Sequence, residues 1–195
     1  MLELLIKSPE LVVLKLGARL SAVGTPVYIS EEVEYVVWKR VHKCVDWKNE
    51  AKKLASSLGA ENLAIFFTAV PLENIVLAEE GRFYGVATVG PRPLTCLDGG
   101  SYGGEMWGTI NIFIATDIPL SRRGLLDLFR IVSETKAVVF SRHYPRCIGT
   151  VSDATAVAAP RGDLDYLGGL NYSARPVGKL VKKLIETGLK LWKDK

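Results

Sequence analysis

The 195-residue sequence predicts a single α+β domain over residues 1–195, with a mixed, largely antiparallel sheet packed by two long helices and one shorter helix. Two patterns predict this class. Segments typical of strands outnumber those typical of helices, and the first strands follow one another in hairpin order, as in antiparallel sheets. The composition, 48% hydrophobic and 24% charged, is that of an ordinary globular domain with a sizeable core.

The first half of the chain contains short apolar segments bounded by turn residues, a pattern typical of strands. The earliest two flank a Ser-Pro-Glu turn and predict a hairpin. Trp47–Leu58 is amphipathic and is followed by Gly59, which predicts a helix ended by glycine. Residues 71–76 predict a helical turn with proline near its start. The strands predicted in this half cover residues 2–6, 11–16, 27–29, 34–41 and 63–68.

The second half combines further strands with the two long helices. Pro119 and Ser121 precede an extended helical pattern and predict its start. Residues 91–107, with two prolines and four glycines, predict a long loop that is either functional or a surface tip without a role. The predicted strands cover residues 82–89, 108–115, 148–150 and 155–159, and the predicted helices cover residues 121–140 and 173–192.

Charge and hydropathy exclude several classes of protein. The net charge of +4 arises from 25 basic and 21 acidic residues, and much of the excess lies in the last predicted helix. Aromatic residues do not interleave with these basic residues, so the pattern does not indicate a nucleic-acid-binding surface. Glu3 and Lys7 interrupt the N-terminal apolar segment, which is neither a signal peptide nor a membrane span. The sequence therefore predicts a cytoplasmic protein.

The three cysteines, Cys44, Cys96 and Cys147, lie far apart and form no CxxC motif. This spacing argues against a disulfide framework and against structural zinc, and it predicts reduced, mostly buried thiols. The two histidines have no partner at ligand spacing, so we expect no metal site. The chain contains no glutamine but many Glu, Lys and Arg residues, a weak indication of a thermophilic source.

The predicted strand over residues 108–115 has an unusual second face. Three isoleucines alternate onto one face and commit it to a core. The opposite face begins with Thr109 and Asn111 and continues with Phe113. Because Thr and Asn are uncharged hydrogen-bonding groups, we expect this face to line a pocket rather than a second core.

The predicted helix over residues 121–140 places Lys136 within an apolar stripe, with Asp127, Arg130 and Glu134 on the opposite side. An ammonium at such a position either extends to the surface or finds a partner, because unpaired burial costs several kcal/mol. Its strongest candidate partner is Asp153. The stripe itself comprises Leu125, Leu128, Phe129, Val132 and Val139.

Asp153 lies in the segment Gly149-Thr-Val-Ser-Asp-Ala154, just before a predicted strand of small residues. A carboxylate at this position can act as a general base or orient a nucleophile. The alternative is an Asx turn that only shapes the connection. Thr68 and Thr88 end their predicted strands beside loops; strand-end capping is the simpler interpretation of both, and we prefer it for Thr68. No nucleophile elbow, zinc-protease motif or phosphate loop is present.

Taken together, several segments resemble the adenosylcobinamide amidohydrolases of archaeal corrinoid salvage. Their order and spacing match over roughly residues 60–190, and the first 60 residues match poorly. The segments that carry the resemblance are Phe67-Thr-Ala-Val70, Ala87-Thr-Val-Gly90, Gly108-Thr-Ile-Asn-Ile112, Ser133-Glu-Thr-Lys136, Gly149-Thr-Val-Ser-Asp-Ala154 and Val157-Ala-Ala-Pro160.

The resemblance implies hydrolysis of the amide that joins the aminopropanol arm to the corrin ring of adenosylcobinamide, giving adenosylcobyric acid. It implies a base or orienting carboxylate at Asp153, a nucleophile or donor at Thr150 or Ser152, and charge stabilisation by Lys136. Asn111, Thr109 and backbone N–H groups near Gly108 would hold the oxyanion. Thr88 and Glu134 also lie in the matching motifs and are candidate substrate-binding residues, with Glu134 ranked below Lys136.

The implied partner is a small corrinoid, which is a substrate and not a cofactor, and the charge and hydropathy patterns indicate neither nucleic acid nor a membrane as a partner. Its size requires a wide cleft, which the 91–107 loop would partly roof. A non-catalytic corrinoid-binding or carrier protein is the main alternative, and acyl transfer on another amide is a weaker one. The balance of apolar residues also permits a homodimer.

Overall fold

The fold is built around a strongly curved sheet of nine strands, and a separate two-stranded sheet lies beside it. The computed structural model describes residues 2–41, 46–99, 108–168 and 174–193. The strands in these ranges are β1 (Leu2–Lys7), β2 (Leu11–Gly24), β3 (Tyr28–Ile29), β4 (Glu32–Arg40), β5 (Leu63–Thr68), β6 (Val76–Glu80), β7 (Phe83–Val89), β8 (Leu94–Cys96), β9 (Ile110–Thr116), β10 (Cys147–Thr150) and β11 (Ala154–Ala159). The helices are α1 (Trp47–Leu58), α2 (Arg122–His143) and α3 (Arg175–Lys193), and a single 3-10 turn spans Leu72–Asn74.

The large sheet has the order β3-β5-β4-β2-β11-β9-β7-β6, and β1 pairs with β2. Its neighbours are antiparallel except for two pairs, β4 with β5 and β9 with β11. Each parallel pair needs a long crossover connection, which α1 supplies in the first case and α2 in the second. β8 and β10 form the small sheet. The predicted mixed, largely antiparallel α+β fold with two long helices and one shorter helix is confirmed.

Two layers of core follow from the two faces of the sheet. One face packs against α2 and α3 and includes the three isoleucines of β9. The other face packs against itself, because the core on that side combines side chains from β2, β4, β5, β7, β9 and β11. Trp38 of β4 stacks on Phe66 of β5 there, with ring centroids 4.7 Å apart. The sheet is therefore curled around its own inner core.

Most of the predicted elements are present, and α1 has the predicted bounds, with Gly59 in the left-handed conformation at its end. Two strands were missed. β6 follows the predicted helical turn in residues for which no element was predicted, and it forms a hairpin with β7 around Gly81. β8 lies within the predicted 91–107 loop and exists because β10, far along the chain, supplies its partner. Residues 100–107 of that loop lie outside the described residues.

The expectation of three reduced thiols is wrong for two of them, since Cys96 and Cys147 form a disulfide. The two cysteines are 51 residues apart in sequence but are cross-strand partners of β8 and β10. The spacing of the cysteines in the sequence did not show that these two residues are neighbours in the fold. Cys44 lies outside the described residues. Within the described ranges, no helix is long and apolar enough to cross a membrane.

Cleaving this disulfide is expected to destabilise the fold. A cross-link between positions 51 residues apart restricts the unfolded chain, and for a loop of this size the loss is at most about 4 kcal/mol of unfolding free energy. Urea unfolding of the wild type and of Cys147→Ser measures the difference. Thiol titration of the denatured, unreduced wild type should find one free thiol per chain, and three free thiols would contradict the pairing.

Candidate active site

The carboxylate of Asp153, just before β11, gathers donors from three segments of the chain. Lys136 Nζ of α2 lies 2.7 Å from Oδ2, and the Thr150 backbone N–H donates to the same oxygen at 3.0 Å. The Ile110 N–H of β9 donates to Oδ1 at 2.9 Å, and the Thr150 hydroxyl donates to Oδ1 as well. The predicted pairing of Lys136 with Asp153 is thus present in the structure.

This ion pair is largely withdrawn from water, with the Lys136 and Asp153 side chains 14% and 9% exposed. A carboxylate offers about four lone-pair sites, and the four donors named above occupy them. Full satisfaction compensates for the desolvation that burying two charges costs. The arrangement holds Asp153 as a fixed anion with the Thr150 hydroxyl hydrogen-bonded to it, the geometry of a base or orienting group beside a hydroxyl.

Gly149 makes this arrangement sterically feasible. A Cβ built on Gly149 would lie 2.1 Å from Asp153 Oδ2 and 3.1 Å from Lys136 Nζ. Real Cβ atoms do not approach an oxygen that closely, so any side chain at this position displaces the carboxylate. The sequence identified Gly149 only as part of a motif. Its role, which is to leave space for the Asp153 carboxylate, follows from the way β10 and the turn to β11 fold around Asp153.

The connection from α2 to β10 sets the position of Gly149 and Thr150. Tyr144 ends α2 and stacks on Phe140, with ring centroids 4.8 Å apart. Its carbonyl accepts a hydrogen bond from Cys147 N at 3.0 Å, which fixes the first residue of β10. Burial raises the pKa of the Tyr144 hydroxyl, an effect that the Arg92 charge partly opposes. The hydroxyl is therefore neutral at physiological pH.

Thr109 and Asn111 form a second set of polar contacts next to Asp153. The Thr109 hydroxyl donates to the carbonyl of Ser152 at 2.9 Å and lies 3.4 Å from Asn111 Oδ1. Asn111 Nδ2 donates to the carbonyl of Phe67 at 2.8 Å. These bonds tie β9 to the end of β5 and to the residue before Asp153. Asn111 is thus linked through Thr109 to Ser152, the residue before Asp153, and makes no hydrogen bond to Lys136 or Asp153 themselves.

The expectation that this face of β9 is not a core face is wrong. All seven residues of β9 are buried, and Phe113 belongs to the inner core. The curl of the sheet brings β5 over this face, although β4, β2 and β11 separate β5 from β9 in the strand order. A strand pattern shows which residues share a face, but it does not show that the sheet folds back over that face.

The glycine and threonines at the ends of neighbouring strands are also engaged or buried. Gly108 N donates to the Arg92 carbonyl at 2.8 Å. Thr68 Oγ1 accepts from Val70 N at 3.0 Å, which confirms strand-end capping. Thr88 is completely buried opposite Asn111, and its hydroxyl has no hydrogen-bond partner among the described residues.

The other charged residues of α2 serve different purposes. Glu134 is exposed and pairs with Arg130 at 2.7 Å, the surface salt bridge expected at this spacing. Asp127 was predicted on the polar side, yet it is buried and accepts a hydrogen bond from Leu167 N at 3.0 Å. Arg130 also donates to Asp127, and the hydrogen bonds that its guanidinium donates to the Asp127 and Glu134 carboxylates raise the pKa of Arg130. Asp127 therefore anchors the segment after β11.

Two surface cavities lie elsewhere on the molecule. One of about 510 Å³ is lined by residues that include Val13, Tyr35 and Leu63. Another of about 480 Å³ is lined by residues that include Arg40 and Phe67. No described residue of the Lys136–Asp153 cluster lines either cavity. Among the described residues, no group of three or more His, Cys, Asp or Glu side chains is placed to hold a metal ion.

The fold and the site define a class: an α+β protein whose buried carboxylate holds an ammonium and a hydroxyl at the start of an inner strand. The chain belongs to the adenosylcobinamide amidohydrolase family, whose sequence model matches residues 6–195. The match thus includes the N-terminal residues, where the motif resemblance is poor. The family description indicates an amidohydrolase that acts on adenosylcobinamide. No curated protein is significantly similar to the chain.

Replacing Gly149 by alanine is expected to disrupt the site, because the new Cβ would overlap Asp153 Oδ2. We expect Gly149→Ala to lower the unfolding free energy by about 1–3 kcal/mol, the usual cost of overpacking, and to abolish hydrolytic activity. Urea unfolding and an activity assay measure the two effects.

Gly178→Ala is the matched control, because Gly178 lies within α3 and a Cβ there meets no atom within 4 Å. That change should stabilise the chain by about 0.5–1 kcal/mol through helix propensity. If Gly149→Ala behaves like Gly178→Ala, the proposed close packing around Asp153 is wrong.

Proposed function

We propose that this chain hydrolyses the amide between the aminopropanol arm and the corrin ring of adenosylcobinamide, releasing aminopropanol and adenosylcobyric acid. One observation carries the proposal beyond the family description: the Thr150 hydroxyl and the Lys136 ammonium converge on the same buried carboxylate, Asp153. Amide hydrolysis needs a nucleophile, a base that returns its proton to the amine, and stabilisation of negative charge. The three residues supply these parts.

We assign Thr150 Oγ1 as the nucleophile. Its hydroxyl already donates to Asp153 Oδ1, so the proton has a direct path to the carboxylate as Oγ1 attacks the amide carbon. The C–N bond then breaks, and the proton passes to the departing amine. A water molecule, deprotonated by Asp153, hydrolyses the resulting threonine ester and restores the hydroxyl. Overall one amide and one water give one acid and one amine.

Lys136 has a supporting part in this scheme. Its ammonium, 2.7 Å from Oδ2, offsets the charge of Asp153 and keeps the carboxylate fixed while Oδ1 exchanges a proton with Thr150. Ser152 is exposed and lies two residues after Thr150, and we assign its hydroxyl as a donor to the oxyanion. Thr109 and Asn111 act as positioning residues, because their hydrogen bonds hold the Ser152 carbonyl and the end of β5.

Three backbone donors near the site are already committed to hydrogen bonds within the protein. The N–H groups of Ile110 and Thr150 both point to Asp153, and Gly108 N is bonded to Arg92. Holding the oxyanion therefore falls to side-chain donors in this scheme, rather than to backbone groups near Gly108 as the resemblance implies. Thr88 and Glu134 have no assigned role, since one is buried and the other pairs with Arg130 at the surface.

The test incubates the purified chain with adenosylcobinamide and follows free aminopropanol and adenosylcobyric acid by mass spectrometry, with equal amounts of both expected. Asp153→Asn removes the base and should lower kcat at least 100-fold. Asp117→Asn is the control, because Asp117 pairs with Arg82 at the surface, remote in the fold from β10. The kcat of this variant should equal that of wild type.

Circular dichroism must show that Asp153→Asn is folded before its activity is compared. Tight binding of adenosylcobinamide without release of aminopropanol would contradict hydrolysis and would indicate a corrinoid carrier. Release from a different amide, with adenosylcobinamide left intact, would indicate acyl-transfer chemistry on another substrate. A folded Asp153→Asn variant with full activity would remove Asp153 from the mechanism.

A further inference from the structure

The first strand of the large sheet, β1, has a free edge. Within the described residues β1 pairs with β2 alone, and no other strand lies beyond it in the sheet. The backbone N–H and C=O groups along its other side therefore point away from the sheet. Such an edge is a template for pairing with a strand of another chain.

Three consecutive apolar residues of β1 are exposed, Leu4 by 49%, Leu5 by 46% and Ile6 by 42%. They are exposed on both faces of the sheet, because a bulge between Leu4 and Ile6 shifts the register of β1 on β2. Leu4 lies opposite Leu14, whereas Ile6 lies opposite Val13, which belongs to the other face. A strand added to this edge would therefore cover apolar side chains on both faces.

The surface next to this edge is recessed. Leu5 and Ile6 line the cavity of about 510 Å³, together with residues that include Val13 of the neighbouring strand. Removing apolar side chains from water stabilises an interface roughly in proportion to the area that is covered. The recess therefore gives an incoming apolar side chain more area to cover than a flat edge would.

The two ends of β1 carry opposite charges. Glu3 lies near its start and Lys7 is its last residue; both are exposed, and neither is part of an ion pair with another residue that the structure describes. In an antiparallel pair of two β1 strands, the Glu3 end of each strand lies beside the Lys7 end of its partner. A parallel pair would instead place like charges together. Opposite charges on neighbouring strands attract and like charges repel, so this edge is complementary to a second copy of itself.

We propose that β1 is the interface of a homodimer, in which the β1 strands of two copies pair antiparallel about a two-fold axis near Leu5. Such an interface is isologous, so each contact occurs twice. The pairing joins the two large sheets into one and covers the exposed Leu4, Leu5 and Ile6 side chains of both copies. The inference is independent of the proposed function, because β1 contributes no residue to the hydrogen bonds around Asp153.

The test measures the mass of the purified full chain in solution by sedimentation equilibrium over a range of concentrations. Wild type should approach twice the 21.4 kDa of one chain as the concentration rises. Glu3→Lys and Lys7→Glu each turn the attraction at both ends of the pair into repulsion, and each should raise the Kd of the dimer at least about tenfold. The double variant Glu3→Lys/Lys7→Glu restores opposite charges, and its Kd should return to within about threefold of wild type.

Glu79→Lys is the matched control, because Glu79 is exposed on β6, an edge strand of the same sheet, and its Kd should equal that of wild type. A mixture of the Glu3→Lys and Lys7→Glu chains should form mixed dimers, since one copy then has two positive ends and the other two negative ends. Mixed dimers also show that both single variants are folded. A monomeric wild type, a dimer that Glu3→Lys leaves unchanged, or a double variant no tighter than the single variants would overturn the interface.

Discussion

The site depends on one interaction, the placement of the Asp153 carboxylate among an ammonium, a hydroxyl and two backbone N–H groups. The four donors come from three parts of the architecture: Lys136 of α2, Thr150 at the end of β10, which supplies two of them, and Ile110 at the start of β9. A buried carboxylate without these partners would be strongly disfavoured. The requirement to satisfy Asp153 therefore fixes how α2, β9 and β10 meet, and Gly149 is the residue that leaves room for it.

The curl of the large sheet has a similar organising effect. It buries both faces of β9, and it brings the end of β5 close enough for Asn111 to bond the Phe67 carbonyl. The Thr109–Asn111 pair thus connects the inner core to the turn that holds Asp153. A change in the curvature would be transmitted to Ser152 through Thr109. Rigidity of this kind suits a site whose reacting groups must stay in register.

The sequence predicted much of this, and the physical reasons for the misses are specific. Amphipathic spacing predicted α1, α2 and the position of Lys136, and the search for a partner to a buried ammonium led to Asp153. Short-range patterns did not reveal β8, whose partner β10 is distant in sequence, or the disulfide that follows from their pairing. Helical phase alone placed Asp127 at the surface, because the segment that bonds it, around Leu167, has no local signal. Likewise, alternation along β9 could not show that the sheet folds back over Asn111.

The chemical step is assigned to Thr150, and one comparison of variants tests that assignment most directly. It measures kcat for the release of aminopropanol from adenosylcobinamide by Thr150→Ala and Thr150→Ser, with wild type as the reference. If Thr150 is the nucleophile, kcat falls at least 100-fold in the alanine variant, which lacks the hydroxyl, and stays within about tenfold of wild type in the serine variant, which keeps it. A folded Thr150→Ala variant that releases aminopropanol at the wild-type rate would show that Thr150 is not the nucleophile.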